Sequence, residues 1–244
     1  MLDYLRQLTG KQRSDRHDAH LAQFLSFIAG AANAGGFMAF RQYTSHMTGI
    51  ASAAADALAL GNMGAVSSGI AAISSFIAGA AVSAVLINWG RRKHLHSQYA
   101  MPLLFEALML VCFGFFGAWL QSWQGIIIPL TVLLLCFIMG LQNAMITKLS
   151  DARIRTTHIT GMVTDFGIEL GKLIFINHKI GYEKPVRADR AKMHLLAGLI
   201  LLFFLGGVIG ALGFNYFGFN SALFLAGLLL VLAVMPISQD ILAK

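Results

Sequence analysis

From Leu21 to Ile237 the chain is a succession of apolar runs, several about 20 residues long, separated by short polar or basic links. Inside hydrocarbon every backbone N–H and C=O must find a protein partner, so such runs can only become helices or the strands of a closed barrel. Barrel strands would alternate apolar and polar residues, and these runs do not. The expected fold is all-α, a polytopic helical membrane bundle. Composition points the same way: 12% of the 244 residues are charged, about half the share usual in soluble domains.

The runs are Leu21–Phe40, Met47–Leu60, Ala65–Trp89, Pro102–Leu120, Ile126–Thr147, Ile159–Leu170, Leu195–Tyr216 and Ala222–Ile237. Two of them are short. Met47–Leu60 would reach roughly 21 Å at about 1.5 Å per residue, against a hydrocarbon core of about 30 Å. Ile159–Leu170 is shorter still. If both crossed fully there would be eight spans, with parallel repeats, and Arg91, Arg92, Lys93, Lys148, Arg153 and Arg155 would join Arg41 outside. If both are broken or re-entrant, six full spans remain and Arg41 alone lies outside. Basic residues concentrate on the cytoplasmic side, so six spans with both termini cytoplasmic are expected. Residues 1–20 are then a cytoplasmic segment, 21–238 one transmembrane domain, and 239–244 a cytoplasmic tail. Trp119 and Trp123 are expected at the interface, and Gly206 with Gly210 form a small-residue packing face.

Two stretches recur. F-I-A-G-A-A-N-A (Phe27–Ala34) followed by S-H-M-T-G (Ser45–Gly49) matches F-I-M-G-L-Q-N-A (Phe137–Ala144) followed by T-H-I-T-G (Thr157–Gly161). The chain therefore reads as two related halves, about 21–122 and 126–237. With six spans the first motif runs outward and the second inward, an inverted internal repeat of the kind found in many secondary transporters.

Polar residues recurring in apolar surroundings are the candidate site. Asn33 and Asn143 either line a polar cavity or make interhelical hydrogen bonds that only fix packing. Thr48 and Thr160 are expected to cap the short helices, with Gly49 and Gly161 allowing a tight turn. The two short helices would then aim their N-terminal amides at an anionic group; a plain structural helix start is the alternative. His46 and His158 recur too, as proton relays or as capping residues. Gln142 has no counterpart at Ala32. Asp165 and Glu169 lie on one helical face, with Asp56 in the first short helix. In low dielectric one of the pair should hold a proton, which would make them the coupling acids; at an interface Glu169 would pair with Lys172 instead. Glu106, near the start of its run, is expected to snorkel or to pair with a loop arginine.

The net charge of +7 belongs to inter-span loops, above all Asn177–His194, so nucleic acid is not an expected partner. The recurrence of the Phe27 motif argues against a cleaved leader. Cys112 and Cys136 sit in apolar runs as small hydrophobes. No G-x-x-x-x-G-K-[ST], H-E-x-x-H or G-x-S-x-G is present, and no enzyme activity, cofactor or metal is expected.

The motifs G-A-A-N-A…S-H-M-T-G and G-L-Q-N-A…T-H-I-T-G-M-V-T-D (Gly140–Asp165) resemble the YoaK-like family of uncharacterised bacterial inner-membrane proteins, over most of the chain. The resemblance implies the bacterial inner membrane and no substrate. The first motif departs from it: the family commonly carries an acid at the position of Asn33 and T-G-N at Thr48-Gly49-Ile50. The expected function is a small secondary transporter of a small polar or anionic solute. Its partners are the lipid bilayer, that solute and, as one option, a second copy in a homodimer. The alternative is a non-transporting membrane scaffold or sensor subunit.

Overall fold

The computed structural model describes residues 15–40, 43–119, 124–150, 156–175 and 185–242. Arg41, Trp123, Arg153, Arg155 and the stretch 176–184 lie outside them, as does the side chain of Trp119. The described residues form α1 (Asp15–Phe40), α2 (Met47–Ala59), α3 (Met63–Arg92), α4 (Ala100–Trp119), α5 (Gln124–Leu149), α6 (Ile159–Ile174), α7 (Arg190–Phe217), a 3-10 turn (Gly218–Asn220) and α8 (Ser221–Leu242), with no strand. Among the described residues four stretches are long and apolar enough to cross a membrane: Arg16–Met38, Met63–Arg92, Ile128–Leu149 and the 49-residue Arg190–Ser238, which holds both α7 and α8; Ala100–Phe115 is a shorter apolar helix. This is a helical bundle of membrane type. α1 starts in the segment expected to be polar and outside the bundle, so Asp15–His20 continues the helix.

The short helices begin where the sequence places them, at Met47 and Ile159. α2 has 13 residues and α6 has 16, about 20 and 24 Å long. The turn from α2 into α3 uses Gly61, whose φ of +73° suits a residue without Cβ. Asn62 then caps α3, its Oδ1 accepting from the Ala65 N–H at 3.1 Å.

The most extensive packings join α1 to α7 and α3 to α5. Both rest on one four-residue pattern, F-x-x-G, at Phe27–Gly30, Phe76–Gly79, Phe137–Gly140 and Phe203–Gly206; the same spelling at Phe204–Gly207 and Phe224–Gly227 makes no such close contact. Gly30 lies against the Phe203 carbonyl and Gly206 against that of Phe27; Gly79 and Gly140 stand in the same reciprocal relation to Phe137 and Phe76. Gly210 touches the Ala31 backbone, so the small-residue face expected on this helix is in use. Small residues let backbones approach, and membrane helices associate through such packing.

Side-chain contacts fix the helix directions. Gln23 meets Gly198 and Gly35 meets Phe214, so α1 and α7 run parallel. Ser75 Oγ donates to the Leu133 carbonyl and Lys148 Nζ to Asn88 Oδ1, so α3 and α5 do too. Asp240 accepts from the His96 and Ser97 N–H groups, and Leu223 meets Gly114, making α4 and α8 antiparallel. The Phe113 and Phe214 rings, 5.9 Å apart, bring the ends of α4 and α7 together. One end of the bundle thus carries the starts of α1, α4 and α7 and the ends of α3, α5, α6 and α8. Every described lysine and arginine (Arg16, Arg91, Arg92, Lys93, Lys148, Lys172, Arg187, Arg190, Lys192) belongs to it.

Glu106 does not snorkel. It is fully buried in α4 beside Leu103, Ala107 and Leu110, and neither carboxyl oxygen has a hydrogen-bond partner among the described residues. It lies on the inward face of its helix, and no described arginine bonds to it. Cys112 is exposed and Cys136 is buried.

Candidate functional site

Both short helices start inside the bundle, and a cavity of about 830 Å³ lies between their starts. Asn33, Ser45, His46, Met47, Thr48 and Phe76 line it from the first half of the chain, and Asn143, Thr157, His158, Ile159, Thr160 and Phe203 from the second; Tyr43 lines it as well. Each residue of the first group has its counterpart in the second, Phe76 and Phe203 being the leading residues of two F-x-x-G patterns. Among the described residues no lysine, arginine or carboxylate reaches the lining. The polar groups are amides, hydroxyls and imidazoles, joined by the N-terminal amides of α2 and α6, where the helix dipole is positive.

The asparagines hold the loops that deliver these helices. Asn33 Oδ1 accepts from the Ser45 N–H at 3.2 Å and from Ser45 Oγ at 3.0 Å. Asn143 Oδ1 accepts from Thr157 Oγ at 2.5 Å, while its Nδ2 donates to the Met139 carbonyl at 3.0 Å. Ser26 Oγ adds a tie from α1, 2.9 Å from the Leu199 carbonyl and 3.3 Å from that of Thr156. Each asparagine therefore lines the cavity and fixes the loop after its own helix; the hydrogen bonds described run to that loop or within the helix, and not to another helix as the packing alternative expected.

The capping expectation is corrected. The N-cap residues are His46 and His158, with φ,ψ of −92°,69° and −86°,64°. Thr48 and Thr160 stand one step inside the first turn, with their side chains exposed toward the cavity. Gly49 and Gly161 make no tight turn. They are helical, and they are glycine because the imidazole folds over them: a Cβ at Gly49 would lie 2.6 Å from His46 Nδ1, and one at Gly161 would overlap His158 Nδ1. H-x-T-G is thus a unit in which the ring rests on the glycine and the threonine is left to face the cavity.

Gln142, Gly49 and Gly161 are not among the lining residues. Gln142 is fully buried and its Nε2 donates to the Leu25 carbonyl at 3.2 Å, tying α5 to α1. The acids lie away from the cavity as well. Asp56 sits on the exposed side of α2. Asp165 and Glu169 do share a face, and that face meets the start of α7. Lys192 Nζ is 3.4 Å from Asp165 Oδ2 and 3.9 Å from Glu169 Oε1, and Lys172 Nζ is 2.8 Å from Glu169 Oε1. The Asp189 N–H donates to Glu169 Oε2 at 2.9 Å. The hydrogen bonds from Lys172 and from the Asp189 N–H hold the Glu169 carboxyl below its ordinary value, against the effect of desolvation. Both acids thus lie against lysine, Asp165 against Lys192 and Glu169 against Lys172 and Lys192.

Tyr43, Met47, Phe76, Ile159 and Phe203 are lining residues that a search for recurring polar groups misses; the two phenylalanines share the F-x-x-G spelling with residues that do not line the cavity. Among the described residues no three His, Cys, Asp or Glu side chains are placed to hold a metal ion. No curated protein and no solved structure matches the chain. A family model does, over residues 21–235: the chain belongs to DUF1275, a family of proteins of unknown function that includes the YoaK-like proteins.

Proposed function

We propose that this protein is a small secondary transporter of the YoaK-like type, which moves a small polar or anionic solute across the bacterial inner membrane through the cavity between α2 and α6. In this reading 21–122 and 126–237 are an inverted repeat, with six spans, two half-helices and both termini cytoplasmic. The observation that carries it is the cavity itself, lined by matching residues from both halves at the starts of two helices that stop short. Half-helices meeting inside a bundle, with their amides aimed at the substrate, are how many secondary transporters build a site. The placement of all described basic residues at one end supports a cytoplasmic orientation for that end.

A small acid would be met by the two helix N-termini and the histidines, and flanked by Phe76 and Phe203. Uptake of labelled acetate, lactate, succinate and inorganic phosphate into proteoliposomes, with and without a pH gradient, tests this. Filling the cavity with Thr48→Trp and Thr160→Trp should abolish flux. Wild-type flux in that variant would overturn the assignment.

One observation favours a second reading, a non-transporting scaffold: both asparagine Oδ1 atoms are already engaged in holding loops. It requires a cavity closed to aqueous reagents from both sides.

A further inference from the structure

Aligning the halves on His46 with His158 and on Phe76 with Phe203 pairs the faces that flank the cavity. Ala53 then corresponds to Asp165, Ala54 to Phe166, Ala57 to Glu169, Ala65 to Lys192 and Gly69 to Leu196. The linings match; the flanks do not. In the first half a crevice of about 690 Å³ remains between α2, α3 and the start of α5, lined by Ala53, Ala54, Ala65, Gly69, Val132 and Leu133. In the second half the equivalent ground is filled. Phe166 and Leu196 pack into the core, and Glu169, 2% exposed, is held by Lys192 and by the Asp189 N–H across the junction of α6 with α7.

Resting on the transport reading, we propose that the Asp165/Glu169–Lys192 pairs are the closed gate of the cavity on the basic face, and that the α2–α3 crevice is its open side toward the opposite face. Cost and freedom differ between the halves. Opening at α6 must separate charges that lie partly out of water, and it strips Glu169 of its partners. α2 meets α3 through Ala54 and Gly69, where a Cβ on the glycine would lie 2.8 Å from that of Ala54. No charge pair crosses that contact, and the crevice leaves α2 room to close. Asp165 and Glu169 thereby act as a latch: Lys192, on a different helix, pairs with both. Because Lys192 and Asp165 are half-exposed, water and salt can compete for them, as a gate that must open requires.

The test needs no known solute. In a background with Cys112 and Cys136 replaced by alanine, a single cysteine at Met47 or at Ile159 reports access to the cavity. A membrane-impermeant maleimide is applied to one face at a time in oriented proteoliposomes. Labelling from the face at which α2 ends should exceed labelling from the basic face. Glu169→Ala with Lys192→Ala should raise the basic-face rate about tenfold, the scale of one lost charge-assisted hydrogen bond. Lys192→Arg should keep the protection. Transplanting the pair, Ala53→Asp with Ala65→Lys, should slow labelling from the α2 face. Equal rates from both faces in the parent overturn the proposal, as does an unchanged basic-face rate in a correctly folded double variant. Should that variant not fold, the transplant decides: an unchanged α2-face rate overturns the proposal. A labelling asymmetry that follows these variants in a protein without flux supports the gate and sinks the transport reading alone.

Discussion

Replacing Gly79 by alanine should separate α3 from α5, and the size of the effect can be worked out. A Cβ there would overlap the Phe137 carbonyl oxygen and lie 2.8 Å from its carbon and 3.0 Å from the Leu141 nitrogen. Packed carbon atoms rest at about 3.5–4.0 Å. The helices must therefore part by roughly 1 Å, because the obstructing atoms are backbone and cannot rotate away. Overpacking of this kind costs about 1–3 kcal/mol, offset by the gain of about 1 kcal/mol for alanine over glycine in a helix. A net loss of about 0–2 kcal/mol follows, so that Gly79→Ala should fall about 1–3 kcal/mol below an alanine placed at an open helical glycine. Gly227 has nothing within 4 Å of its would-be Cβ, so Gly227→Ala should keep the propensity gain and melt higher. The reciprocal contact sharpens the test. Once Gly79→Ala has parted the helices, the methyl of Gly140→Ala finds room, so the double variant should lose less than the sum, whereas Gly79→Ala with Gly30→Ala, at separate interfaces, should add. Thermal unfolding in detergent, followed by gel filtration, measures all seven proteins: the wild type, the four single variants and the two doubles. If Gly79→Ala melts with Gly227→Ala, the F-x-x-G contacts do not set the packing.

Three further outcomes can be measured the same way. Asn33→Ala removes the acceptor for both the N–H and the hydroxyl of Ser45 and should cost about 1–3 kcal/mol; Asn33→Asp keeps an acceptor and should recover most of it. Glu106→Leu should stabilise by a similar amount, since it removes a buried carboxyl with no partner among the described residues; a lower melting temperature would mean that Glu106 has a polar partner. Asp240, just beyond the last candidate span, is opposed by burial, yet hydrogen bonds from Ser97 and His96 hold its carboxyl below its ordinary value. A lowered folded-state value adds stability that is present above the unfolded value, about 3.9 for Asp, and is lost as pH falls through the folded one. Wild type should therefore exceed Asp240→Asn at neutral pH, and the gap should close in acid; a gap independent of pH would refute the assignment.

The bundle, the starts of α2 and α6 and most of the cavity lining were legible in the sequence for a simple reason. Apolar runs report burial, and polar residues that recur inside them report a shared environment. The errors lie where direction around a helix decides. Gln142 and Asn143 are neighbours in sequence but point about 100° apart at 3.6 residues per turn, so Asn143 faces the cavity while Gln142 turns to the Leu25 carbonyl. Thr48 and Thr160 have the better intrinsic capping preference, yet the chain enters each helix two residues earlier, through a histidine whose ring needs the glycine beneath it. The spelling H-x-T-G held that information, but only as a contact between its first and last letters.

The acids show a different limit. Their i,i+4 spacing fixes that Asp165 and Glu169 share a face, and nothing in α6 says what that face meets. The answer lies on α7, at Lys192 and the Asp189 N–H, beyond a loop whose length carries no signal of the docking. A carboxylate pair facing lipid would share a proton; here the pair faces Lys192 and joins two helices. What the sequence did contain was the comparison between halves, because Ala53, Ala57 and Ala65 stand where the second half has Asp165, Glu169 and Lys192. Read for likeness, the halves give the cavity. Their difference gives it a closed side, since only one half has the charges to shut it.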